Sequence, residues 1–442
     1  MSLRSISLAF CALAIFFSAV GTISAQTSTS HTTKSHQVQD SQAIELNNLL
    51  DEAQAAMGKN DYASAVESYQ KYLAKKPDDA GSHFQLGYAY VALHKPSEAR
   101  AEYERAIALD PKMAPAYLNL GLILLESDPA AAIAPLQKAV ELLPSDAEPK
   151  YFLGAAYERS GNSALAIEEY QAAEKLDQKR FETRLALGRA LLKAARPLEA
   201  ESEFHAALDL RPDSAPAELG IAQSLAAEQK PEAAARELAE YLKLQPNDAE
   251  IRVERAFLLV SIGMDDAAAS ELNLASKSGP ESVRALKLRA RIYFRAKRYD
   301  DAVPVLQQAA ALAPQDPDIP AQLGHIYLEK KDFPNAVREL IVALKVSPND
   351  NAVLGDLVAA EYLNKNYPAA LEGLDLLAKR ETLPLGTLFV RATCYDKLGQ
   401  AAEALKAYRE FLSLNQDEKS DMYFEAAARA RFLARELKEK KR

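Results

Sequence analysis

Eight prolines set the rhythm of this chain. Pro77, Pro111, Pro144, Pro212, Pro246, Pro280, Pro314 and Pro348 recur every 34 residues, with one step of 33 and one omitted beat held by Gln178. A fixed period of that length belongs to stacked repeats, not to a single globular core. The same seven positions recur inside each period, as Leu86, Gly87, Tyr90, Ala99, Tyr103, Ala106 and Pro111, and again as Leu323, Gly324, Tyr327, Ala336, Leu340, Ala343 and Pro348. Within each half-period the marked residues stand three and four apart, which puts them on one face of an α-helix. Each period therefore holds two amphipathic helices. Gly87, Ala99 and Ala106 leave room where helices must approach, and Leu86, Tyr90 and Tyr103 fill the space beside them.

Turn signals such as His94-Lys95-Pro96 separate the helices of a pair, and Asp-Pro or Pro-Asp pairs separate one repeat from the next. One pair cannot bury its own apolar face, so neighbours must stack. Eleven units fit between Leu46 and Gln416, and residues 417–442 read as a solvating C-terminal helix with a charged tail. Three units replace the Leu-Gly pair by Ile221-Ala222, Arg255-Ala256 and Arg289-Ala290. Pro135 and Pro304 fall inside second helices, where kinks or shortening are expected. Pro115, Pro149, Pro216, Pro334 and Pro368 fall in first turns, where proline is tolerated.

This pattern closely resembles the tetratricopeptide repeat family. The resemblance implies an all-α fold: a right-handed superhelical α-solenoid of stacked helix-turn-helix units whose first helices line a concave, partner-binding side. It also implies a non-enzymatic scaffold that binds protein or peptide segments, acidic ones among them.

The N-terminus carries a different message. Met1-Ser2-Leu3-Arg4 precedes a mostly apolar run from Ile6 to Val20 and the small residues Ser24-Ala25, so residues 1–25 read as a secretory signal peptide. The alternative is an uncleaved anchor in the inner membrane, although the run is short for a span. Residues 26–45 read as a flexible polar leader. Of the two cysteines only Cys394 lies outside the signal, so no internal disulfide is available to an exported form, and the core must do that work. There is no Asn-x-Ser/Thr site. The expected location is the periplasm or the cell exterior.

A formal charge of −9 disfavours nucleic acid as the global partner. No catalytic, cofactor or metal motif is present: there is no His-Glu-x-x-His, no Cys-x-x-Cys, no Gly-x-Ser-x-Gly and no Gly-rich phosphate loop. Cys394 reads as a packed thiol, since nothing near it in sequence lowers its pKa.

Candidate binding residues come from the first helices. Phe84, Tyr88, Leu118, Leu122 and Tyr151 form an expected apolar groove in the second to fourth units. In the eighth unit Arg284, Lys287, Arg291 and Arg295 share a helix face, with Arg252 on the preceding unit, and the segment between Glu281 and Tyr299 holds seven basic residues. Those five cations form an expected anion-binding groove for acidic partner segments. The competing readings are internal pairing with acids of adjacent repeats and, for a ligand, an anionic cell-envelope polymer or exported polysaccharide. Composition and spacing leave the partner and the oligomeric state open.

Overall fold

The computed structural model describes residues 33–417 and 419–439. Among these residues the chain forms twenty-three α-helices and no strand. Antiparallel pairs run along the chain: α1 (Thr33–Gly58) with α2 (Tyr62–Lys75), α3 (Ala80–Ala92) with α4 (Pro96–Leu109), and α5 (Ala114–Ser127) with α6 (Pro129–Leu142), followed by α7 (Ala147–Arg159) and α8 (Ser163–Leu176). Next come α9 (Phe181–Lys193) with α10 (Pro197–Leu210), α11 (Ala215–Ala227) with α12 (Pro231–Leu244), α13 (Ala249–Ser261) with α14 (Asp265–Ala275), and α15 (Val283–Arg295) with α16 (Tyr299–Leu312). The last pairs are α17 (Asp318–Glu329) with α18 (Phe333–Val346), α19 (Asn351–Leu363) with α20 (Tyr367–Arg380), and α21 (Leu385–Lys397) with α22 (Ala401–Leu414); α23 (Asp421–Glu439) follows. The chain divides into two units, Met1–Ala156 and Tyr157–Arg442, and each is a solenoid of stacked helix pairs.

The repeat register is visible as burial. Ala65, Ala99, Ala132, Ala166, Ala200, Ala234, Ala268, Ala302, Ala336, Ala370 and Ala404 occupy one position of the eleven second helices, and every one is fully buried. Four residues later comes a large side chain that is also sealed, such as Tyr69, Tyr103, Leu136, Tyr170, Phe204 or Leu340. The alanine lets the paired helix come close, and the large residue fills the wedge beside it.

Helix ends follow from local chemistry. Asp79, Asp128, Asn162, Asp248 and Asp332 accept a backbone N–H three residues on, satisfying a donor with no partner inside the helix. Between the helices of a pair the chain turns through the left-handed region, at Gly161, Gly263 and Gly399 but also at Asn60, His94, Ala195, Gln229, Lys297, Lys331 and Lys365. The 33-residue step has its cause here. Asp128 alone links α5 to α6, and no left-handed residue intervenes.

Two expectations need correction. Pro135 and Pro304 do not shorten their helices, because α6 and α16 keep the 14 residues of most other second helices. Each proline releases the carbonyl four residues earlier, on Ala131 and Asp300, and both of those residues are exposed, so water can satisfy the freed acceptor. Residues 26–45 are not leader throughout, since α1 already begins at Thr33. The expected signal at residues 1–25 lies outside the described residues.

Tyrosine hydroxyls tie successive repeats together. Tyr72 on α2 donates to Asp79, the N-cap of α3, at 2.8 Å, and Tyr241 on α12 repeats the bond to Asp248, the N-cap of α13, at 2.8 Å. Burial, with the neighbouring carboxylate adding to it, pushes Tyr72 and Tyr241 up to about 12, and burial first of all does the same to Tyr69 and Tyr408. An unfolded chain releases these protons near pH 10. The folded chain holds them longer, so stability is complete below about pH 10 and falls as pH rises toward about 12. Denaturant titrations at pH 8, 10 and 11 are expected to show a falling midpoint, and a flat profile would contradict the burial of these hydroxyls.

Candidate binding groove

The second unit carries an open groove of about 880 Å³ on three consecutive first helices, α13, α15 and α17. Each of these first helices packs one face on its own second helix and leaves residues three and four apart, such as Arg284, Lys287 and Arg291, on the groove side. Phe257 of α13 forms one wall and is 44% exposed. Helix α15 supplies Arg284, Lys287, Arg291 and Phe294, and α17 with its preceding turn supplies Asp316, Asp318, Gln322 and His325.

The cations of this groove are not equivalent. Lys287 Nζ donates to Asp316 at 2.9 Å and to Asp318 at 2.7 Å. Burial works to lower its pKa, but the two carboxylates prevail and hold it above the ordinary lysine value. Arg252 reaches Glu271 at 2.8 Å and the Pro246 carbonyl at 2.8 Å. Arg295 donates to the Val260 carbonyl at 3.0 Å and stands 3.1 Å from Asp265 as an ion pair. These three side chains are therefore occupied by the chain itself, which corrects the expectation of five available cations. Arg284 and Arg291 are exposed and have no hydrogen-bond or ion-pair partner among the described residues. Arg284 lies over the Phe257 ring at 5.4 Å, a contact that orients the guanidinium and leaves its donors open.

The two free guanidiniums stand seven residues apart on one helix face, about 10 Å along the axis, a span that about three residues of extended chain cover. Beside them Phe294 packs against His325 at 5.2 Å and Tyr299 at 5.6 Å, and His325 contacts Asp356 at 3.2 Å. The groove thus offers forked donors for carboxylates, aromatic faces for an apolar side chain, and exposed acid at Asp318.

The apolar groove expected in the first unit is largely core. Leu118 and Leu122 are 6% exposed and Tyr151 is 7% exposed. Helix α5 is apolar nearly all round, so it buries more than the face that meets its own partner helix. Phe84 and Tyr88 are half-buried, and the Phe84 ring rests 5.7 Å from the sealed Tyr103 ring. Phe257 and Phe294 were the groove rings that charge-led reading passed over, although they sit in the register that selects Arg291 and Lys287.

Cys394 is fully buried, and burial pushes its thiol up to about 11, consistent with a packed thiol. Among the described residues no three His, Cys, Asp or Glu side chains cluster as a metal site. No described helix is long and apolar enough to cross a membrane.

Comparison with known proteins places this architecture. The chain is 30% identical over 117 residues to the small glutamine-rich tetratricopeptide repeat-containing protein 2 of Mycosarcoma maydis, a match covering 26% of this chain and 33% of that protein. The chain thus spans about a third of that curated relative's length. Among solved structures, a MamA protein is 26% identical over 39% of this chain and 94% of its own, with a TM-score of 0.37. YrrB, described as a TPR protein with an unusual peptide-binding site, is 24% identical over 42% of this chain and 96% of its own, with a TM-score of 0.39. One tetratricopeptide repeat model matches residues 50–91, 84–147, 126–180, 185–249 and 265–317, and two others match 293–360 and 385–418. With a single model matching more than half of its residues, the chain belongs to the tetratricopeptide repeat family.

Proposed function

We propose that this protein is an exported, non-enzymatic scaffold that captures an extended acidic and apolar segment of a protein partner in the groove on α13, α15 and α17. Tetratricopeptide repeat proteins are scaffolds for protein–protein interaction. The observation that carries the finer reading is the pair Arg284 and Arg291, uncommitted beside the exposed ring of Phe257 while Arg252, Lys287 and Arg295 are paired within the chain. Like charges on one helix face cost stability unless an anion relieves them, and a partner carboxylate does so. The apolar walls favour a polypeptide over a purely anionic polymer, because Phe257 and Phe294 give nothing to a polysaccharide that lacks apolar groups. Export rests on the apolar run and small residues of the first 25 positions.

The test is capture from an envelope extract by wild type and by Arg291→Glu, at low and high salt, with polyglutamate and an acidic polysaccharide as competitors. Exposed ion pairs are screened over about 8 Å at physiological salt. Wild-type capture of a specific polypeptide is expected to fall about tenfold or more with Arg291→Glu, to weaken in salt, and to be blocked by polyglutamate, while the melting temperature stays unchanged. Capture indifferent to Arg291→Glu overturns this groove as the site, and selective retention of the acidic polysaccharide favours the polymer instead.

A further inference from the structure

A solenoid helix that no further repeat covers normally presents a polar face to water, yet α23, the last of the described helices, exposes two phenylalanines, Phe424 at 61% and Phe432 at 55%. Its inner side is fixed by Ala426, Ala430 and Leu433, all buried. On the outer side, Asp421, Phe424, Glu425, Ala428, Arg431, Phe432 and Arg435 all fall within about 60° of Ala428 around the helix, at about 100° per residue. Except for the two phenylalanine rings, this stripe consists of a small central residue and four charges. Asp421, Glu425 and Arg435 have no hydrogen-bond or ion-pair partner among the described residues, and Arg431 bonds only the Ala427 carbonyl of its own helix, at 3.2 Å.

The order of these residues is a palindrome with its charges inverted. Counting outward from Ala428, Phe424 mirrors Phe432, Glu425 mirrors Arg431, and Asp421 mirrors Arg435. We infer that a second copy of this chain docks on α23, the two helices antiparallel and crossing at Ala428. A two-fold axis there brings each Phe424 against the other copy's Phe432, each Glu425 against Arg431, and each Asp421 against Arg435. Such a contact is isologous: one patch recognises itself and the assembly closes at two. The small Ala428 lets the backbones approach at the crossing, and the charge pairs on either side reject the parallel arrangement, where like would face like. An unrelated partner would not require the mirror order of both the rings and the charges.

Sedimentation of the purified full chain across concentrations up to about 100 µM is expected to show a monomer–dimer equilibrium. Phe432→Lys is expected to weaken it about tenfold or more. So is Arg431→Glu, or Glu425→Arg, alone. An equimolar mixture of the Arg431→Glu and Glu425→Arg chains is expected to dimerise again, because each lost pair is regained across the axis. All of these side chains are exposed, so circular dichroism melts should match wild type. A monomer at the highest concentration, a dimer indifferent to Phe432→Lys, or failure of the charge-reversed chains to rescue each other overturns the proposal.

Discussion

Glu271→Ala is expected to destabilise the second unit by about 3–5 kcal/mol, the usual cost of leaving a buried charge without its partner. Glu271 on α14 is 7% exposed. Its carboxylate binds two guanidiniums of α13, Arg252 at 2.8 Å and Arg255, and Arg255 also donates to the Ala235 carbonyl of α12 at 2.9 Å. Arg255 occupies the position where other repeats carry the leucine of Leu-Gly. The pairing explains how a charge is tolerated there: its donors are spent on the preceding and the same repeat, so no desolvated charge remains single. Truncating Glu271 leaves both arginines enclosed with carbonyl partners alone. Replacing Arg255 and Glu271 together by leucine and methionine removes one of the two stranded cations and restores the apolar pattern, and is expected to recover part of the loss, with Arg252 still left to the Pro246 carbonyl alone. Denaturant midpoints of the two variants test this. A loss below about 1 kcal/mol for Glu271→Ala would show that the network contributes little.

How far the molecule could be read from its sequence follows from what repeats encode. The 34-residue period, the helix pairs and the sealed alanine from Ala65 to Ala404 are statements about short-range spacing, and spacing is written directly in the chain. The groove was legible in register but not in occupancy. The same helix positions that select Arg284 and Arg291 select Phe257, yet whether a cation is free depends on residues 16 to 31 positions away, as Lys287 with Asp316 and Asp318 shows. Leu118, Leu122 and Tyr151 failed as groove residues for a related reason. An apolar side chain on a first helix can face the open side or its neighbour in the stack, and only packing decides. Arg255 and Arg289, which stand in place of the repeat leucine, each have a partner set of their own: Arg289 binds Glu281 and, at 2.7 Å, Asn273.

Gly220→Leu is expected to be among the most damaging single substitutions in the array, costing about 3 kcal/mol or more by overpacking. The Phe204 ring on α10 is fully buried and sits between two first helices. A Cβ on Gly188 of α9 would lie 2.8 Å from it, and a Cβ on Gly220 of α11 would lie 2.5 Å from it. The same ring therefore relies on a glycine in its own repeat and on another in the next. Gly220 is not the glycine of the repeat pattern, which Ala222 has replaced, so its role is to receive the neighbour's phenylalanine. Gly220→Ala alone should already cost about 1–3 kcal/mol, since the contact falls on an aromatic ring with no room to turn. Phe204→Leu should recover part of that loss, because leucine fills the equivalent site opposite Gly121 and Gly324; the two changes share one contact and should not add. Gly355→Ala serves as the opposite case. Gly355 lies inside α19 with nothing near its missing Cβ, and alanine there should stabilise by about 0.5–1 kcal/mol through backbone entropy. If urea midpoints fall equally at Gly220 and Gly355, glycine matters here for chain flexibility, and the clamp on Phe204 is wrong.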